Sequence, residues 1–327
     1  MLLNLEKAHI LVTGGAGFMG SAFIRYILKQ ESFKGHVTNL DLLTYAGNLA
    51  SVASVSADKR YTFCLGDIRN YSLLVDIHSE RKIDLIVHFA AETHVDRSID
   101  HPQTFLETNI MGTYSLLQLA RGKQIHFHHI STDEVYGALG EEGHFTEESP
   151  YRPNSPYAAS KASSDHLVRA FAKTYGVSTT LSHASNNYGP FQYPEKFIPL
   201  MIQNALEGKP LPVYGKGDNV REWLFVEDHA RAIWTILSCG ERGEVYNIGG
   251  GNERSNLDLL HLILKEVEEV TGEKNLERLI TFVSDRPGHD FRYAMSGAKV
   301  EKLGYLPMWS LEKGIRETVQ SFPGVCV

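Results

Sequence analysis

Through the first half of the chain, short apolar runs alternate with longer stretches of helical spacing. Six runs read as strands: "AHILVT" (8–13), "HVTNLD" (36–41), "YTFCLGD" (61–67), "IDLIVHFA" (83–90), "IHFHHIS" (125–131) and "VSTTLSHAS" (177–185). Between them "SAFIRYILKQ", "YSLLVDIHSE", "TNIMGTYSLLQLARG" and "SPYAASKASSDHLVRAFAKTY" read as helices. Strands that alternate with crossover helices predict a Rossmann-type α/β fold, a doubly wound parallel sheet with right-handed connections. After Tyr188 the rhythm loosens into "YGPFQYPEKFIP". A helix near 196–207, a strand near Arg221 to Val226 and a helix from Asp228 follow, then strands at "EVYNIGG" and "LITFVS" with a helix near 256–270 between them.

Composition narrows the classes. The 327 residues are 43% hydrophobic and 22% charged, an ordinary globular balance for one large or two closely joined domains. A net charge of -7 offers no general attraction for phosphate backbones, so nucleic acid is not an expected partner. Cys64, Cys239 and Cys326 lie far apart without a CxxC pair, which suggests neither a disulfide framework nor a zinc site. No apolar stretch approaches the roughly 20 residues that cross a bilayer, and "MLLNLEKAHILVTGG" lacks the pattern of an export signal. A soluble cytoplasmic protein is expected.

"VTGGAGFMGS" follows the first strand and opens the first helix, with Gly14, Gly17 and Gly20 at three-residue spacing. In that context the glycines mark a dinucleotide turn: the backbone closes tightly and a pyrophosphate rests on the helix N-terminus. Asp41 ends the second strand, where a carboxylate binds the adenosine ribose 2′-OH and repels a 2′-phosphate, so NAD is expected over NADP. Asp67, ending the next strand, fits an adenine contact and a solvated turn equally. The expected division is 1–187 as the NAD-binding Rossmann domain carrying the chemistry. Residues 188–327 would be mainly a substrate lobe, with some chain crossing back to the sheet.

Tyr157 and Lys161 are four apart on a predicted helix and share a face. A nearby ammonium favours tyrosinate, so Tyr157 is expected to serve as a base on a sugar hydroxyl while nicotinamide takes the hydride. Ser131, Thr132, Asp133 and Glu134 follow the fifth strand directly, at the carboxyl edge where open α/β sheets bind ligands. Two adjacent carboxylates there can protonate a leaving group and remove a carbon-bound proton, but adjacency alone does not say which does which. In "HFHH", His126 and His128 face one way and His129 the other, and no carboxylate or Cys completes a metal site. They are read as structural.

Nine segments together, "TGGAGFMGS", "DLLTYAGN", "AAETHVDRSI", "STDEVYG", "SPYAASKASSDHLVRA", "SNNYGP", "VYGKGDNVREWLFVEDHARA", "YNIGG" and "DRPGHD", closely resemble the dTDP-glucose 4,6-dehydratase family of extended short-chain dehydrogenases. The resemblance covers nearly the whole chain. It implies an internal redox cycle in which NAD is retained and regenerated each turnover. Tyr157 promotes hydride loss from C4, Glu134 removes the C5 proton, Asp133 protonates the departing C6 hydroxyl, and the hydride returns to C6. Thr132 would hydrogen-bond the 4-oxygen and Lys161 the nicotinamide ribose. The 4-keto-6-deoxy product would feed deoxysugar synthesis, such as that of rhamnose.

By position the resemblance also assigns Phe18, Met19, Thr44, Asp67, Ile68, Ala90, Ala91, Thr93, Thr108 and Asn187 to the cofactor, with Thr93 also near the glucosyl group. Asn186, Lys196, Phe197, Pro212, Tyr214, Arg221, Asn256, Arg286 and His289 fall to the nucleotide sugar, Arg221 and Arg286 at its diphosphate. The helices near 104–121 and 157–172 would build a homodimer. The chain departs from the family at Met19, where Ile is usual, and at Ser296, where Asp is common; both are read as harmless, Ser296 as a helix cap. A 4-epimerase or a UDP-glucuronate decarboxylase shares the Tyr157 and Lys161 pair, but an epimerase has no elimination step for Asp133 and Glu134 to serve. An NAD-sensing module with a vestigial site would be free to lose all of these groups. Thymine against uracil is left open.

Overall fold

A computed structural model of the chain describes residues 4–284, 290–322 and 325. Its strands are β1 (His9–Thr13), β2 (His36–Asp41), β3 (Tyr61–Leu65), β4 (Leu85–His88), β5 (His126–Thr132), β6 (Thr179–Ala184), β7 (Asn186–Tyr188), β8 (Leu211–Tyr214), β9 (Val220–Phe225), β10 (Val245–Ile248), β11 (Glu253–Ser255) and β12 (Ile280–Val283). The helices are α1 (Phe18–Lys29), α2 (Tyr71–Arg81), α3 (Val95–Asp100), α4 (Pro102–Phe105), α5 (Thr113–Lys123), α6 (Pro156–Tyr175), α7 (Phe197–Leu206), α8 (Val226–Cys239), α9 (Asn256–Thr271), α10 (Ala298–Glu301) and α11 (Leu311–Gln320).

Seven parallel strands form the main sheet in the order β10-β6-β5-β4-β1-β2-β3, which is the doubly wound arrangement. Sequence order reverses between β1 and β4, so a crevice opens at their carboxyl ends. β1 is held on both sides, Ile10 opposite Val37 and Leu85, and its Ile10, Leu11 and Val12 are fully buried, as a strand covered by helices on both faces requires. The covering helices begin and end where their caps dictate. α6 starts at Pro156 with the Ser155 hydroxyl accepting from Ala158 N at 3.1 Å, and stops at Gly176, whose φ of +68° is left-handed.

The sixth strand position is not the end of the sheet. β10, from the C-terminal half, pairs with β6 (Tyr246 opposite Ser182), and α8 packs on α1, placing Ile233 and Ile236 in one core with Ile24 and Ile27. A second core, around Ile202, Leu260 and Ile315, belongs to α7, α9 and α11 with the small sheets β11-β9-β7 and β12-β8.

The predicted elements differ from the observed ones mainly at their ends, whereas α3, β7, β8, β11, α10 and α11 have no counterpart in the sequence reading. The helix read as one stretch over "TNIMGTYSLLQLARG" is two: Leu106–Gly112 winds as a π-helix before α5. That widened segment carries Asn109, whose side chain bonds the Glu92 backbone and Ser160 and so fastens the helix to the site wall. Ser296 accepts from Ala298 N at a long 3.4 Å, but Gly297 is the cap residue of α10, so the cap expected of Ser296 is not formed.

Ile233 is fully buried between the halves of the chain. Ile233→Ala should cost about 2–5 kcal/mol of stability, read as a lower denaturant midpoint in one cooperative transition. Two separated transitions would show that the α1 and α8 contact does not unite the sheet.

Candidate active site

The glycine turn builds one wall of the crevice. Gly14 has φ +69° and donates to the Leu40 carbonyl at 2.9 Å, and a Cβ there would stand 2.6 Å from Ala90 N. At Gly20 a Cβ would meet the Gly14 carbonyl oxygen at 2.3 Å. Only glycine permits this approach. α1 begins at Phe18 with no side-chain cap at Gly17, so its first N–H groups face the crevice. Asp41 accepts from Ala16 N at 2.9 Å and Leu43 N at 2.8 Å, which fixes the carboxylate at the strand end and leaves lone pairs for a diol. A cradle that any Cβ would fill, an uncapped helix start and a fixed carboxylate suit a dinucleotide with an unphosphorylated ribose.

The crevice continues past Phe18, Met19, Thr44, Asp67, Ile68, Ala90, Ala91, Thr93 and Thr108 to Thr132, Asp133, Glu134 and Tyr157, then to Asn186, Asn187 and Lys196. All of these predicted residues line one cavity. Asp67 is occupied with Arg69, 2.7 Å away, which in turn reaches Glu107 at 3.1 Å. Asn186 Oδ1 is buried and has no hydrogen-bond partner among the described residues, an acceptor available to a ligand. Lys196 Nζ donates to the Thr93 carbonyl at 3.2 Å and ties the lobe to the sheet edge.

Other predicted contacts lie apart. Phe197 opens α7, Pro212 and Tyr214 lie on β8, Asn256 opens α9, and Arg221 on β9 donates to the carbonyls of Val220, Phe291 and Asp290 at 2.8, 3.2 and 2.9 Å. Arg286 and His289 lie outside the described residues, as does Cys326.

β5 delivers the acids. Thr132 ends the strand and its hydroxyl accepts from Glu134 N at 3.3 Å and faces Asp133 Oδ1 at 3.2 Å, turning the chain at Asp133–Tyr136. Asp133 is 2% exposed, and its Oδ2 has no hydrogen-bond partner among the described residues. Burial, then the charges of Glu134 and Glu222, push its carboxyl up to about 8, so it carries a proton at neutral pH. The Glu222 carboxylate is itself fixed by Gly251 N at 2.8 Å and Met295 N at 2.9 Å.

Tyr157 and Lys161 share the inner face of α6, both buried. The expected downward pull of Lys161 on the phenol does not dominate. Burial and the Glu134 charge drive Tyr157 well above its usual value, with only a Thr132 hydrogen bond opposing them. Lys161 Nζ is engaged elsewhere, donating to the Ile130 carbonyl at 2.7 Å and approaching His129 Nε2 at 3.5 Å, and burial lowers it to about 8.

Sequence reasoning missed several groups. A carboxylate does meet His129: Asp165, at 3.3 Å, which also bonds His183 at 3.1 Å and the Ser131 hydroxyl at 2.9 Å. His126 and His128 instead bond Thr180. Asp165 lies eight residues after Tyr157 on the same helix face, a spacing legible in "SPYAASKASSD". Across the cavity mouth Tyr45 donates to Glu195 at 3.2 Å and lies under Arg97 at 4.0 Å, contacts for which the loop sequences hold no signal.

These features define an NAD-dependent enzyme of the short-chain dehydrogenase type. The family model described as GDP-mannose 4,6 dehydratase matches residues 11–318. A dTDP-glucose 4,6-dehydratase of Neisseria meningitidis serogroup B is 52% identical, covering 95% of this chain and 92% of its own. Solved structures of dTDP-glucose 4,6-dehydratases are similarly close. That from Streptomyces venezuelae, with NAD bound, has TM-score 0.89 at 47% identity, and that from Bacillus anthracis, in complex with NAD, 0.87 at 46%, each covering 96% of both chains. The chain belongs to the dTDP-glucose 4,6-dehydratases.

Two outcomes test the site. Asp41→Asn should weaken NAD binding about tenfold or more and narrow the preference over NADP, read by titration of both dinucleotides. Asp133, with its pKa raised on folding, costs stability increasingly as pH climbs from the ordinary carboxylate range toward 8. Asp133→Asn should therefore melt above the parent at alkaline pH, with the gap closing toward acid pH; an equal gap at all pH values would contradict the assignment.

Proposed function

We infer that this chain converts dTDP-glucose to dTDP-4-keto-6-deoxyglucose and water for deoxysugar synthesis. The observation that carries the reading is the pair of carboxylates at the end of β5, one of them held protonated, on the same wall as Tyr157 and the glycine turn. An oxidation or epimerisation at C4 has no use for that pair.

NAD, when bound, would supply the hydride acceptor for C4 and the hydride donor for C6. Tyr157 receives the 4-hydroxyl proton, for which Thr132 provides a hydrogen-bonding neighbour. To act as that base the phenol must lose its own proton, and Lys161 together with the positive nicotinamide of bound NAD would oppose the burial that raises it. Once C4 is a carbonyl the C5 proton is acidic, and Glu134 removes it. Asp133, prepared by burial to hold a proton at neutral pH, then supplies it to the C6 hydroxyl, which leaves as water; as hydride returns to C6, Glu134 gives its proton back to C5.

Residues 1–187 hold the cofactor and the reacting groups, and the later chain mainly holds the nucleotide sugar, with Asn186, Lys196, Phe197, Pro212, Tyr214, Arg221, Asn256, Arg286 and His289 as its contacts. Exposed Leu106, Met111 and Tyr114, beside Tyr175 on α6, support a homodimer through these helices. A cytoplasmic enzyme is favoured by the free Cys64 and Cys239, and among the described residues no helix is long and apolar enough to cross a membrane.

Incubation with dTDP-glucose, without added reductant, should yield a 4-keto-6-deoxy sugar; unchanged sugar or a galactose epimer sinks the reading. UDP-glucose in competition measures the base preference. In Glu134→Gln, oxidation should survive while elimination stops, so absorbance of reduced cofactor accumulates on the enzyme. Turnover near that of the parent would remove Glu134 as the C5 base. The elimination step should slow as pH rises through about 8, where Asp133 loses its proton.

A further inference from the structure

Asp165 has no part in that scheme, although it occupies the helix face that carries Tyr157 and Lys161, one i+4 step further along. It is fully buried. Its Oδ2 accepts from the Ser131 hydroxyl at 2.9 Å and lies 3.1 Å from His183 Nε2, while His129 Nε2 stands 3.3 Å from Oδ1. The same His129 nitrogen is 3.5 Å from Lys161 Nζ. One imidazole thus stands between a buried carboxylate and a buried ammonium, and the carboxylate also grips the last residue of β5 before Thr132.

The remaining titratable neighbours leave this pair as opposite charges. From β4 comes His88 and from β5 His129, both driven by burial to the neutral form at pH 7. From β6 comes His183, which meets Tyr151 of the segment before α6 and Tyr136 of the turn after β5, at 2.9 Å each. Both phenols are raised by burial. The turn itself adds Asp133, protonated, and the carboxylate of Glu134. Burial works against the Asp165 charge as well, but the imidazoles of His183, bonded to Oδ2, and of His129, 3.3 Å from Oδ1, hold it well below the usual carboxylate range. Burial pushes Lys161 down, and the charge on Asp165 acts to hold it up.

We propose that Asp165 is a positioning residue that supplies the buried countercharge for Lys161 from across His129, and that fixes the Ser131 end of β5 against α6. It does not line the cavity. Without its charge the ammonium is left uncompensated in a dry wall and gives up its proton at lower pH, so the cation that assists Tyr157 is lost earlier on the alkaline side.

The inference rests on the roles given above to Tyr157 and Lys161, and the test separates the two. In the Glu134→Gln background, the rate at which reduced-cofactor absorbance appears on mixing with dTDP-glucose is followed from neutral to alkaline pH. Adding Asp165→Asn should move the alkaline limb down by about one pH unit or more, with little change in the sugar concentration for half-maximal rate. An unmoved limb in a folded variant overturns the proposal, whereas no absorbance from Glu134→Gln itself at any pH defeats the reaction scheme instead. Thermal melts give a readout independent of turnover: the loss in Tm for Asp165→Asn with Lys161→Met should be smaller than the sum of the single losses, and additive losses contradict the coupling. If Asp165→Asn alone does not fold, the double variant should recover a cooperative melt, and failure to recover it counts against the proposal.

Discussion

A Cβ on Gly14 would collide with the backbone of Ala90, and one on Gly20 with the Gly14 carbonyl. The contact brings the ends of β1 and β4 and the start of α1 within backbone distance, at the point where the strand order reverses. Every later feature of the site inherits its placement from that approach. It turns the uncapped N–H groups of α1 toward the crevice and puts Asp41 across from them. It also sets the depth at which Ala90, Ala91 and Thr93 leave β4 to meet the acids of β5. A side chain at either glycine would have to displace backbone, which cannot yield as the end of a long side chain does.

The second determinant is exclusion of water. Neighbouring carboxylates in water would both be ionised at neutral pH. Here the end of β5 is enclosed by α6 and by β9, whose Glu222 is held as an acceptor by Gly251 and Met295. Burial therefore separates what composition made alike, and the same burial drives Tyr157 up and Lys161 down. A wall that perturbs three titratable groups at once is expensive to fold around. The His129, Asp165 and His183 cluster behind it ties β5, β6 and α6 together, Asp165 Oδ2 meeting Ser131 and His183 while Oδ1 lies 3.3 Å from His129.

Much of this was legible in the sequence, for reasons that differ by element. Strand and helix periodicity located β1 to β6 because each is long enough to show its period, and the glycine spacing fixed the cofactor turn because the steric demand is local. Ends were less legible: the π-helical Leu106–Gly112 has the apolar spacing of an ordinary helix, and its widening serves Asn109, whose partners Glu92 and Ser160 are distant in sequence. The lobe's clasp at the cavity mouth was invisible for the same reason, since Tyr45, Arg97 and Glu195 meet only after the chain has folded. The pull of Lys161 on Tyr157 is outweighed by burial, which spacing on a helix does not reveal: it gives a shared face but not the direction of an ammonium that the Ile130 carbonyl and His129 also engage.

The division of labour within "STDEVYG" shows where structure adds to motif. Adjacency in sequence gives two carboxylates one environment on paper, and family resemblance alone ranked one as acid and the other as base. In three dimensions successive residues of a tight turn point in different directions. Asp133 points inward, 2% exposed, with an unpartnered oxygen and two carboxylates for neighbours, while Glu134 is half-buried at the cavity wall beside Tyr157. The inward residue is the one that holds a proton to give. The turn geometry thus gives two chemically alike side chains different surroundings, one enclosed and the other at the cavity wall.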